Sequence, residues 1–177
     1  MKNTRKILLK KGKIALRYQR VSDAKRFFEI LTNKNFKYFH TRVKNIADEV
    51  NWLRGNPDKR KNKVEYNFTI LYEKKVIGGI GIKINQHRKH IGEIGYFIDE
   101  KYWGKGIGTT ATKLVEKFGF KKLGLKRIEI LMNIKNKASE KVAIKNKYKK
   151  EGKLLGVTYR NGKPTINWLY AKISSSD

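Results

Sequence analysis

The sequence predicts one mixed α/β domain. Three observations carry this. The chain has 177 residues, and about 100–200 residues make a domain. Extended apolar runs and helix-spaced apolar runs follow one another in the order β-α-α-β-β-β-α-β-α-β-β. No repeat and no linker divides them, so residues 1–177 are expected to form a single unit, with a core over about 14–173 behind a basic segment 1–13. The composition, 39% hydrophobic and 11% aromatic, supplies a core and excludes a disordered basic tail.

Each element has a local reason. Ile14–Tyr18 reads as a strand. Ser22 is placed to cap a helix that carries Phe27, Phe28, Ile30 and Leu31, with Asp23 in its first turn. Val43, Ile46, Ala47, Val50 and Leu53 repeat at helical spacing, and Gly55-Asn56-Pro57-Asp58 is expected to end that helix. Residues 64–72 and 76–84 form a hairpin around Glu73-Lys74-Lys75. A polar loop, 85–90, leads to a strand over 92–98. A glycine-rich connection then opens a helix over about 109–122, with Ala111, Leu114, Val115 and Phe118 on its sheet-facing side. Residues 127–132 form a strand and 139–147 a short helix. Strands 154–160 and 164–173 meet at Asn161-Gly162, a strong hairpin signal.

The charge is extreme: 43 Lys+Arg against 15 Asp+Glu, a net +28. Such a field attracts polyanions, including RNA and the ribosome, steers anionic ligands inward and repels polyamines. A lysine-rich surface bias of the host explains the same number, and both readings stand. With no cysteine, disulfide scaffolds, zinc ribbons, iron–sulfur sites and cysteine nucleophiles are excluded. His40, His87 and His90 leave little for a metal, and no metal site is expected. No apolar run reaches membrane-spanning length, and Ile7-Leu8-Leu9 is too short for a signal peptide, so a cytoplasmic protein without a membrane partner is expected.

The chemistry concentrates in the connection Tyr102-Trp103-Gly104-Lys105-Gly106-Ile107-Gly108-Thr109. Its glycines permit a tight turn and close ligand approach. It opens a helix whose free N–H groups and positive dipole end attract phosphate, and Lys105 adds charge. A phosphate-bearing ligand is therefore expected there. The P-loop pattern fails, because Gly104-Lys105 is followed by Gly106. The dinucleotide fingerprint fails, because Gly106-Ile107-Gly108 lacks its third glycine.

These residues resemble the GCN5-related N-acetyltransferases. The acetyl-CoA loop of that family, Gln/Arg-x-x-Gly-x-Gly/Ala, lies on Trp103–Gly108, with Trp103 in the Gln/Arg place. The similarity is nearest to the ribosomal-protein-alanine N-acetyltransferase-like branch. Four stretches carry it: Glu93–Gly106, Leu123–Glu129, Asn136–Gly152 and Tyr159–Ile173.

The resemblance implies a mostly antiparallel mixed sheet with splayed central strands, flanked by about four helices. It implies acetyl-CoA as cosubstrate. The backbone from Gly104, Lys105, Gly106, Ile107 and Gly108 to Thr109 would hold the pyrophosphate. The strand edge at Phe97 and Ile98 would pair with the pantetheine arm, and an N–H near Ile98 would hold the thioester oxygen. Asn136 would bond the arm. Glu93 is implied as general base, directly or through water, although it also reads as a surface glutamate. The helix tyrosine of many members is Ala143 here. Ser139 is therefore the candidate acid, or only a helix cap, with Tyr148 second. Some relatives carry an acid where this chain has Thr158. Trp52 and Phe39 read as core residues or acceptor-site walls, and His87 and His90 as solvated. The acceptor is expected to be a protein N-terminal α-amine. A small amine, such as an amino sugar or antibiotic, is the alternative, and a non-catalytic RNA-binding module is the third. A monomer or homodimer is expected.

Overall fold

The computed structural model describes residues 6–36, 38, 43–160 and 162–174. Phe39, His40 and Asn161 lie outside the described residues.

Eight strands form one open sheet in the order β1-β2-β3-β4-β5-β6-β8-β7. They are β1 (Leu9–Lys11), β2 (Ile14–Tyr18), β3 (Glu65–Tyr72), β4 (Lys75–Ile84), β5 (Ile91–Ile98), β6 (Arg127–Asn133), β7 (Lys149–Arg160) and β8 (Lys163–Ile173). Every neighbouring pair is antiparallel except β5–β6, which is parallel. Five α-helices flank the sheet among the described residues: α1 (Ala24–Leu31), α2 (Ile46–Arg54), α3 (Asn56–Lys61), α4 (Ile107–Leu123) and α5 (Lys137–Lys145). Alternation along β5 separates two layers. Ile94 and Ile98 join Ile107, Ala111 and Val115 of α4 in the larger core, while Phe97 turns the other way, edge-on to Phe27 of α1.

The structure departs from the expected elements at specific places. Ser22 is not the helix cap. It lies in a 3-10 turn, Val21–Asp23, whose Asp23 is buried. Both Asp23 oxygens accept from the Arg17 guanidinium, at 2.6 and 2.8 Å, and Thr69 Oγ1 donates to one of them at 2.6 Å. A buried bidentate pair with a third donor satisfies the carboxylate fully, and it fixes α1 to β2 and β3.

Gly55 ends α2 as expected, as its C-cap, but the same segment also starts α3, for which Gly55 is the N-cap. Proline is tolerated in a helix's first turn, where its missing N–H has no intrahelical role. Asn56 is buried, donating to Gln19 Oε1 at 2.9 Å and accepting from Asn67 at 3.1 Å. The β3–β4 turn has two residues, Glu73 and Lys74, both at positive φ, as a two-residue hairpin requires. Helix α4 begins at Ile107 and α5 at Lys137, two residues earlier than expected in each case. Strand β1 has no apolar alternation to announce it. It exists through backbone pairing with β2.

Candidate active site

Strands β5 and β6 pair only at Ile91↔Arg127, Gly92↔Ile128 and Glu93↔Glu129. Both continue, to Ile98 and Asn133, without pairing to each other. The sheet therefore opens, and a cleft of about 1070 Å³ occupies the gap. The first turn of α4, the start of α5 and the segment around Phe36 complete its walls.

The open strand edge belongs to Tyr96 and Ile98. The Phe97 carbonyl faces Gly78 of β4 so closely that a Cβ on Gly78 would lie 2.1 Å from it. Asp99 N–H donates to Ile77 O on the same strand. Backbone groups alternate sides along an antiparallel strand, so those of Tyr96 and Ile98 point into the gap. Phe97 lines the cleft, but its carbonyl serves β4.

Gly104 and Gly106 lie in the left-handed region, at φ 74° and 72°, and a Cβ on either would meet open space. Backbone conformation, not crowding, requires glycine here. Gly106 is the N-cap of α4. The helix's first intrahelical bond is Thr110 N–H to Gly106 O, at 3.1 Å. The preceding N–H groups have no helical partner, and Gly106, Ile107, Gly108 and Thr109 all line the cleft. A helix start of this kind holds phosphate. Gly108 has a steric reason as well. Its Cβ would stand 3.3 Å from Val142 and 3.5 Å from Ile98 and Tyr96. Trp103 Nε1 donates to Ile98 O at 2.7 Å. Lys105 is not on the cleft wall; its ammonium lies 5.1 Å over the Tyr102 ring.

Asn136, on the cleft wall, is the N-cap of α5, and its Oδ1 accepts from Ser139 N–H at 3.1 Å. Asn136, not Ser139, is thus the helix cap. The Ser139 hydroxyl lines the cleft and meets the Tyr96 hydroxyl at 3.2 Å. Glu93 stands at the last β5–β6 rung, where the strands part, and is open to the cleft. Enclosure by surrounding protein raises its pKa above the usual carboxylate range; Lys83 opposes this and Glu129 adds to it.

Tyr148 is not brought to these groups. It is buried in the larger core, and burial pushes its phenol pKa up, with the charge of Glu116 adding to the effect. Trp52 neither packs in the core nor walls the cleft. It is 39% exposed, beneath the Lys59 ammonium at 4.2 Å. His87 and His90 are exposed and stand away from the cleft wall. No cluster of metal-ligating side chains occurs among the described residues, and no helix among them is long and apolar enough to cross a membrane.

Sequence reasoning missed Tyr96, Asn167 and two lysines. Tyr96 alternates with Ile94 and Ile98 and reads as packing; the signal was its hydroxyl, which needs a partner when buried. Asn167 is buried and lines the cleft with Thr158. Its amide donates to Thr158 Oγ1 at 2.7 Å and to Thr165 Oγ1 at 3.2 Å. Lys141 and Lys145 stand on α5 along the cleft.

The arrangement is a helix start with free N–H groups, continuous with an open strand edge and a carboxylate. Residues 13–149 match the model of the acetyltransferase (GNAT) domain. The chain belongs to the GNAT family.

This GNAT domain is 34% identical over 98 residues to the uncharacterized N-acetyltransferase YoaA of Bacillus subtilis, 55% of each chain. It is 28% identical over 134 residues to the ribosomal-protein-serine acetyltransferase of Escherichia coli, 76% of this chain and 75% of that one. The chain spans little more than half the length of the first curated relatives it matches. Among solved structures, the ribosomal L7/L12 α-N-protein acetyltransferase RimL, in complex with coenzyme A, superimposes with a TM-score of 0.86 over 95% of this chain and 98% of that one, at 21% identity. The microcin C7 self-immunity acetyltransferase MccE, in complex with acetyl-CoA and AMP, superimposes with a TM-score of 0.83 over 93% and 94%, at 26% identity.

Proposed function

We propose that this protein is an acetyl-CoA-dependent N-acetyltransferase whose acceptor is the α-amine of a protein N-terminus. The observation that carries the reading is the continuity of the cleft. Unpaired N–H groups at the start of α4 lead along the unpaired edge of β5 to Glu93. A cosubstrate with a pyrophosphate at one end and an amide-bearing arm fits that sequence of groups. The ribosomal-protein acetyltransferases among the relatives support the acceptor class.

Bound acetyl-CoA supplies an activated acyl group as a thioester. The first turn of α4 takes the pyrophosphate through N–H groups and the helix dipole. The edge groups of Tyr96 take the arm in the manner of an added strand, since the Ile98 carbonyl already accepts from Trp103. The Ile98 N–H faces the charge that builds on the acyl oxygen. Glu93, directly or through a water, takes a proton from the acceptor ammonium, and a raised pKa suits that task. Ser139 is the donor that faces the departing sulfur. Asn136 Oδ1 already accepts from the Ser139 N–H, which leaves its amide protons for the arm. Among the described residues, Glu93 is the sole carboxylate on the cleft wall, which disfavours a polycationic antibiotic as acceptor. The net charge of +28 serves association with the ribosome's anionic surface.

Calorimetric titration of acetyl-CoA tests the donor site, with NAD as control and Gly106→Trp as the variant that should lose binding. Thiol release in the presence of peptides with free or N-acetylated termini, against simple amino sugars, tests the acceptor. No binding of acetyl-CoA overturns the reading. Turnover of amino sugars but not of free N-termini moves the acceptor to small amines.

A further inference from the structure

The hydroxyl of Ser139 has two unusual features. A serine inside a helix commonly donates back to a carbonyl one turn earlier. Ser139 makes no such bond among the described residues. Its one side-chain partner is Tyr96. A phenol is more acidic than an aliphatic alcohol and is the better donor of the two. Tyr96 therefore donates, Ser139 accepts, and the Ser139 proton is left to point elsewhere. The open direction is the cleft, which both residues line.

Tyr96 is held for this role from three sides. It sits on β5 between Ile94 and Ile98, both buried in the larger core. Gly108 of α4 approaches its ring so closely that a Cβ there would stand 3.5 Å from Cε2. The hydrogen bond itself crosses from β5 to α5, over the gap where the sheet has opened. On that side α4 packs against the ring.

We propose that Tyr96 is a positioning residue for the leaving-group step: by donating to Ser139 Oγ it turns the Ser139 proton toward the departing sulfur. The inference rests on the acetyltransferase reading above. Glu93 takes the first proton from the acceptor ammonium and passes it to solvent. The free amine then attacks, and the carbon–nitrogen bond forms as the carbonyl π pair moves onto oxygen. The nitrogen's second proton passes to Glu93, and on collapse the carbon–sulfur bond breaks with its electron pair going to sulfur. The sulfur leaves as a thiolate that accepts a hydrogen bond from Ser139, and it takes its proton from solvent after release. A thiol's pKa near 8.5 makes that thiolate a competent leaving group, so hydrogen bonding without full transfer suffices. Burial holds the Tyr96 pKa at about 12, so Tyr96 keeps its proton throughout.

The test compares Tyr96→Phe, Ser139→Ala, the double variant and Ser139→Thr with the wild type. Tyr96→Phe should lower kcat about tenfold, within the range for one oriented donor, with KM for acetyl-CoA within about twofold. The double variant should be no slower than Ser139→Ala, and Ser139→Thr should recover activity. Coenzyme A alone gives a second readout that needs no acceptor. Its bound thiol, followed by thiolate absorbance against pH, should ionise at lower pH than free coenzyme A, and at higher pH in Tyr96→Phe than in the wild type. Additive losses in the double variant, unchanged kcat in Tyr96→Phe, or identical thiol titrations overturn the proposal while wild-type turnover leaves the function standing. Failure of the wild type to bind acetyl-CoA removes both.

Discussion

The Trp103 indole donates to the carbonyl of Ile98 at 2.7 Å, tying the glycine connection back onto the end of the strand it leaves. The bond satisfies a carbonyl on the unpaired edge of β5. The Trp103 ring also lies 6.0 Å from that of Phe36. The residue links the glycine connection to the segment around Phe36, both of which line the cleft.

Trp103→Phe keeps a ring of similar shape and removes the donor. A net hydrogen bond contributes about 1 kcal/mol, or about fivefold in an equilibrium constant. Calorimetry should show acetyl-CoA binding weakened by about that factor, with kcat within about twofold. Unchanged affinity would mean that the tie does not order the loop.

Glu93 should set the acid limb of the rate. Its pKa is raised by enclosure, so kcat/KM rises with pH until the carboxylate is ionised, at a pH above the ordinary carboxylate value. Glu93→Gln should flatten that limb and lower kcat by about a hundredfold. A pH profile of the variant parallel to the wild type would assign the limb to another group.

The elements were legible because periodicity is local. Alternation in 92–98 and helical spacing in 109–122 mark β5 and α4 to within two residues. The side to which a strand residue's backbone turns is set by register with its neighbour. Gly79 pairs with Phe97, and nothing within 92–98 reveals that the gap belongs to Tyr96 and Ile98. Tyr148 fails for a related reason. Its spacing after α5 suits a site residue, but packing against the larger core buries it. Strand β1 and helix α3 were missed because backbone pairing and a buried amide chain hold them, not an apolar period.

Lys141 and Lys145 stand one helical turn apart on the cleft wall of α5. Asn146 joins that end of α5 to the start of α4, donating to Thr109 O at 3.1 Å. The two lysines thus stand on the helix that Asn146 ties to the proposed phosphate site. Lys141→Glu/Lys145→Glu should weaken acetyl-CoA about tenfold or more at low salt. The loss should shrink as ionic strength rises, because exposed charges are screened. A salt-independent loss would point to distortion of α5 instead.

Glu49 is a buried carboxylate on α2, 3% exposed, in a chain rich in cations. Burial raises its pKa to about 6. The folded state therefore prefers the protonated form more than the unfolded state does. The resulting contribution to stability is full below the unfolded value near 4.5 and is lost as pH rises through about 6. Glu49→Gln retains the shape without the charge. It should match the wild type near pH 4.5 and exceed it by about 1 kcal/mol at pH 7.5, a figure reduced for the helix's proximity to solvent. Urea unfolding at the two pH values measures the difference. An equal or lower stability of the variant at pH 7.5 would show that the carboxylate finds compensation there, and that α2 holds Glu49 in its ionised form.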